Sequence, residues 1–169
     1  MKDSDNTRPS KGWILAFHPD LICGTALGAN IRDYTFFSYR PEEALHVSLR
    51  EKQVILELLD KINEELQRCI DCYSQKIISK YIELLLDYCE RFYERQFITR
   101  NEANKKIIER FDRLLDDHFN TIQSQSSDLP TIEECVRVLR LSPAYFNDLL
   151  EYETGKSYKE YLQYDLFFT

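Results

Sequence analysis

The sequence predicts a mainly α-helical protein, with a helix-turn-helix unit near the C-terminal end and a small strand remnant near the N-terminal end. Three observations predict it. Apolar residues recur at helical spacing from residue 48 to residue 122. A serine or threonine followed three residues on by glutamate, a pattern that satisfies the orphan donors of a helix start, occurs at Ser48/Glu51, Thr99/Glu102, Thr131/Glu134 and Ser157/Glu160. Finally, 4 Gly and 5 Pro among 169 residues are too few for a turn-rich β-protein or a disordered chain.

Taken in order, residues 1–11 are polar and aperiodic and read as a mobile tail. Over 12–47 the pattern changes: GWILAFHP is a short apolar run suited to a strand, and EALHVS at 43–48 is a second strand candidate. Between them, DLICGTALGANIRDYTFF reads as a short helix and loop. The Ser48 box opens a helix to about Cys72, with Val54, Ile55, Leu58, Leu59, Ile62 and Leu66 on its apolar face. Ser74 caps a second helix to about Gln96. Its apolar set includes Ile77, Ile78, Tyr81, Ile82, Leu84, Leu85, Tyr88, Cys89 and Phe92, broader than one stripe. Such a helix needs cover on more than one side, and a second subunit is expected on one of them. A third helix runs from Thr99 to about Ile122 with Ile107, Ile108, Phe111, Leu114, Leu115 and Phe119 inward. QSQSSDLP at 123–130 is a polar linker and the best domain boundary.

Residues 131–163 carry the densest local signals. Ile132, Cys135, Val136 and Leu139 follow the Thr131 box at helical spacing. Leu141 sits in a short turn, and Ser142-Pro143 restarts a helix with a hydroxyl cap and proline at the first position. Phe146, Leu149 and Leu150 form one stripe, Gly155 ends the helix, and Ser157/Glu160 opens another. Ser142, Phe146, Leu149, Leu150, Gly155, Ser157, Tyr161 and Leu162 together resemble the first helix-turn-helix and following helix of the AraC/XylS family of bacterial transcription regulators. Val136 stands where that family usually has alanine, and Glu151-Tyr152 where a basic residue is common. Family domains carry two such units joined by a long helix, and YDLFFT falls within that connecting helix, so the resemblance covers the first half of the domain.

The resemblance implies a homeodomain-like unit over 131–169, a helical interdomain region over 48–122, and a remnant of a cupin-like sensor barrel over 1–47. It implies double-stranded DNA as partner, read by the helix that starts at Ser142, because the N-terminal part of the second helix meets base edges in such motifs. Ala144, Tyr145, Asn147 and Asp148 are the exposed candidates there, with Arg137, Arg140, Lys156 and Tyr158 for phosphates. Asn147 suits adenine, whereas Asp148 accepts only from cytosine. It also implies dimerisation through the helices at 48–96, with Ile78, Tyr81, Leu85, Tyr88 and Phe92 as the contact. The dimer is a homodimer or a mixed dimer with a longer relative. The alternative is a truncated regulator that acts as a dimerising protein-interaction module.

Composition limits the remaining classes. The net charge is −7, and over 131–169 four basic residues face seven acidic ones, which opposes phosphate binding in bulk. No apolar run reaches the length of a membrane span and the N-terminus has no signal-like apolar core, so a cytoplasmic protein is expected. His18, His46 and His118 are far apart in sequence, and no glycine loop suits a phosphate, so neither an enzyme nor a cofactor is expected. Cys69 and Cys72 lack a second pair of ligands for a metal. The five cysteines therefore read as reduced, mostly buried thiols. The C-terminal Leu166, Phe167 and Phe168 read as exposed apolar groups.

Overall fold

A computed structural model describes residues 12–122 and 129–168, with the side chains of 120–122 and 165–168 excepted. The tail at 1–11, most of the linker, and the side chains of Leu166, Phe167 and Phe168 therefore lie outside the described residues. Among those described, seven α-helices and three short 3-10 turns occur, and no strand. The helices are α1 (Ala26–Asn30), α2 (Leu49–Leu66), α3 (Ser74–Thr99), α4 (Asn101–Ile122), α5 (Ile132–Leu139), α6 (Pro143–Thr154) and α7 (Tyr158–Phe168).

Local chemistry accounts for most of these boundaries. Ser48 and Glu51 close the start of α2 reciprocally, with the Ser48 N–H donating to the Glu51 carboxylate at 2.7 Å. The helix stops at Leu66 rather than near Cys72. Beyond it the Asp71 side chain accepts from the Tyr73 and Ser74 amides at 2.8 and 3.1 Å, a local turn that competes with helix and launches α3. Between α3 and α4 the chain turns at Arg100, and buried Asn104 donates back to the Phe97 carbonyl at 2.9 Å. Thr99 is the last residue of α3 rather than the cap of α4, since its hydroxyl donates to the Gln96 carbonyl.

The expected strands do not form. Residues 12–18 and 44–48 are irregular, and over 44–48 other groups satisfy the backbone that a strand partner would pair. Buried Gln96 accepts from the His46 amide at 2.8 Å and donates to the Ala44 carbonyl, while Arg95 donates to the His46 carbonyl at 2.8 Å. Arg95 also forks onto Glu51 with two contacts of 2.9 Å, which holds the start of α2 beside α3.

Residues 19–46 form a strap along α3 in matching order. The Leu21 carbonyl accepts from Gln75 and Ser79, Tyr34 donates to Asp87 at 2.6 Å, and Phe36 stacks on Tyr93. Ile22, Leu27 and Tyr34 of the strap join Ile62, Ile78, Ile82 and Leu86 in one core. The strap therefore provides the second cover that the broad apolar surface of α3 demands. Ile78, Leu85 and Phe92, expected at a subunit contact, are buried within the chain itself, and Tyr81 and Tyr88 are half-buried. The apolar side chains that α3 leaves outside are Ile77, Leu84 and Ile98, with Tyr73 exposed just before its start.

A second core gathers Phe111 and Leu115 of α4, Cys135, Val136 and Leu139 of α5, Phe146 and Leu150 of α6, and Tyr158 and Leu162 of α7. Val136 is taken up there at the α5–α6 crossing. Three of the five thiols, Cys23, Cys69 and Cys72, are exposed, contrary to the expectation of burial. They lie in loops, where no apolar face draws them inward.

Candidate functional site

The pair α5–α6 is the element to which the sequence assigns function, and its geometry is set by two left-handed residues. Arg140 (φ 61°) ends α5 and Gly155 (φ 71°) ends α6. Glycine adopts that conformation freely, whereas Arg140 holds it against its Cβ because the turn into Ser142 requires it. Ser142 then caps α6, its Oγ accepting from the Tyr145 amide at 3.2 Å, and Pro143 occupies the first turn where no N–H is needed.

The N-terminus of α6 does not face solvent. Glu43, 4% exposed, accepts from the Ser142 amide at 2.6 Å through one oxygen. Its other oxygen accepts from the Ser142 hydroxyl at 2.6 Å and from the Arg40 amide at 2.7 Å. Burial of a carboxylate is costly unless it is hydrogen-bonded, and here three donors and the positive end of a helix dipole meet it. Further along α6, Asp148 accepts from Thr35 at 2.5 Å and from Tyr39 at 2.6 Å. Burial, together with the Asp148 carboxylate, drives the Tyr39 phenol well above its ordinary pKa, so it remains a donor. Tyr145 is buried between Tyr39 and Phe97. On the far end of α6, Glu153 accepts from Asn104 at 3.1 Å.

These contacts decide where each expected DNA-contacting residue stands. Ser142 and Tyr145 are buried and Asp148 is tied to the strap, so the exposure expected of this face is not found; Ala144 is half-buried. Asn147 is half-buried and uses its Oδ1 to accept from the Tyr158 amide at 3.1 Å. Tyr158 is buried, donating to the Pro130 carbonyl at 2.7 Å, and is not available to a phosphate. Lys156 lies over the Tyr164 ring at 3.3 Å from its centroid. Arg137 and Arg140 are exposed, as expected. The structure thus gathers Ser142, Tyr145 and Asp148 into one seam with the strap, and leaves the two arginines outside it.

Glu43, Thr35 and Tyr39 complete the seam and no sequence signal marked them. Glu43 lies 99 positions from Ser142, and Thr35 lies 113 from Asp148, beyond the reach of any periodicity. No protein-family model, no curated protein and no solved structure matches the chain.

Proposed function

We propose that this chain is the body of an AraC-like transcription regulator held in a closed state, in which the strap occupies the base-reading side of α6. The observation that carries the reading is the α5–α6 pair. A three-residue connection through left-handed Arg140 leads to a Ser-Pro start, over a core of Cys135, Val136, Leu139, Phe146 and Leu150. Motifs of this kind present the N-terminal part of the second helix to the major groove. Glu43 and Asp148 explain why that part is not presented here.

The reading is tested by opening the seam. Glu43→Ala combined with Tyr39→Phe is expected to bind duplex DNA at least tenfold more tightly than the wild type, on the order of 1.4 kcal/mol. Affinity should fall steeply between about 50 and about 200 mM salt. Glu42→Ala, at an exposed neighbour, removes the same charge without touching the seam and serves as control. An opened variant with native helical content and no binding at the lowest salt would exclude the regulator.

In that case the second reading stands: a self-associating interaction module. It is favoured by the exposed Ile77 and Leu84 on α3 and Tyr73 at its cap, flanked by Lys76 and Lys80 toward one end and Glu83 and Asp87 toward the other. An antiparallel second copy would set the lysine half of this stripe against the acidic half of its mate. Leu84→Glu should then leave a monomer in sedimentation.

A further inference from the structure

We propose that the cleft where the strap, α3 and α6 meet binds a small organic cation, an ammonium or guanidinium group carried on an apolar stem. The cleft has a volume of about 360 Å³, of the order needed for a small molecule. Two kinds of side chain line it. Phe36, Tyr39, Tyr93, Phe97 and Tyr152 supply aromatic walls, ordered among themselves by ring contacts: Phe36 with Tyr93 at 5.5 Å, Tyr39 with Tyr93 at 5.1 Å, and Phe97 with Tyr152 at 5.6 Å. Asp33, Glu90, Glu94, Asp148 and Glu151 supply negative charge. Thr35 completes the lining, which contains no lysine, arginine or histidine.

The combination selects its ligand class. Aromatic quadrupoles and carboxylates both attract cations, and both reject anions. A bare metal ion is disfavoured: among the described residues no three acidic, cysteine or histidine groups converge as ligands, and aromatic rings offer a metal nothing. A cation with apolar surface uses both components. Glu90 senses the negative charge gathered there. Burial and the neighbouring Asp87, Glu94, Asp148 and Asp33 together push its carboxyl above the ordinary range. Asp148, already holding the Thr35 and Tyr39 hydroxyls, anchors one wall, so the ligand would bridge α6 to the strap.

The inference does not rest on DNA binding, because it is read by titration of the full chain alone. Choline and agmatine are titrated calorimetrically at physiological salt, with the neutral carbon isostere of choline, a dimethylbutanol, as control. At least one cation should bind saturably at one site per chain, and the neutral isostere should not. Glu94→Gln and Tyr152→Ala, both at solvent-accessible positions, should each weaken binding, and together by about tenfold or more. Absence of saturable binding by either cation up to about 10 mM would overturn the proposal. Equal binding of the isostere, or affinity unchanged in both folded variants, would also overturn it.

Discussion

Replacing Glu43 by alanine is the sharpest perturbation of the seam. The side chain accepts three hydrogen bonds at 2.6, 2.6 and 2.7 Å while only 4% exposed. Bonds to a charged group contribute about 1.5–3 kcal/mol each, which would give roughly 4–9 kcal/mol if they simply added. Two effects reduce that sum. The unfolded carboxylate regains its hydration, so its burial in the native state carries a desolvation cost that alanine escapes. The Ser142 hydroxyl can also turn elsewhere, whereas the Ser142 amide, in a residue 3% exposed, cannot. The net loss should be about 2–4 kcal/mol. In urea, with a slope of about 2 kcal/mol/M, the midpoint falls by about 1–2 M. Glu43→Gln keeps the shape but loses the charge and one acceptor, and should cost about half as much. A midpoint that moves by less than about 0.3 M in Glu43→Ala, with the slope unchanged, would show that the seam does not hold the helix pair to the strap.

Two further outcomes follow from the strap and from α2. Gly28→Ala should destabilise by about 2–3 kcal/mol, although alanine is the better helix former by about 1 kcal/mol, because the new Cβ would overlap the Ile22 carbonyl. Calorimetry would show a lower melting temperature, and a rise would mean that the Ile22 carbonyl does not lie against Gly28. Glu51 tests the Arg95 fork through pH: burial works against its charge, but the Ser48 amide and the Arg95 guanidinium outweigh it and hold the carboxyl below its usual 4.5. A folded value below the unfolded one means that the contribution is complete above 4.5 and disappears as pH falls through the folded value. The stability difference between wild type and Glu51→Gln should accordingly shrink on acidification below 4.5, and a constant gap would refute the pairing.

Much of the helical framework is legible in the sequence because its determinants are local. The boxes at Ser48, Thr131 and Ser157 each close within three residues, and the helices begin where they indicate. The Ser142-Pro143 start and the Gly155 stop are equally short-range. Two-sided apolarity in α3 was legible as a demand for extra cover, but its source was not, since residues 19–46 reach α3 through contacts 50 or more positions apart, such as Tyr34 with Asp87 and His46 with Gln96. At 43–48 the strand expectation failed for the same reason: the residues report a half-buried segment, and nothing in them reveals that Gln96 and Arg95 will serve the backbone. Tyr145 shows the limit at the candidate site. Helical spacing placed it beside the Phe146 stripe and so outside the local core, yet Tyr39 and Phe97 enclose it.

The two cores also bear on how the molecule opens. One is built from the strap, α2 and α3, the other from α4 to α7, and a small cluster of Phe97, Tyr145 and Leu149 joins them. Cooperativity between two such halves scales with what couples them, and here the coupling is a few rings plus the carboxylates of Glu43 and Asp148. Amide exchange should therefore resolve two foldons whose protection converges in the native protein and separates once the coupling is cut. A joint this small lets one half detach while both stay folded, which a continuous apolar core would forbid.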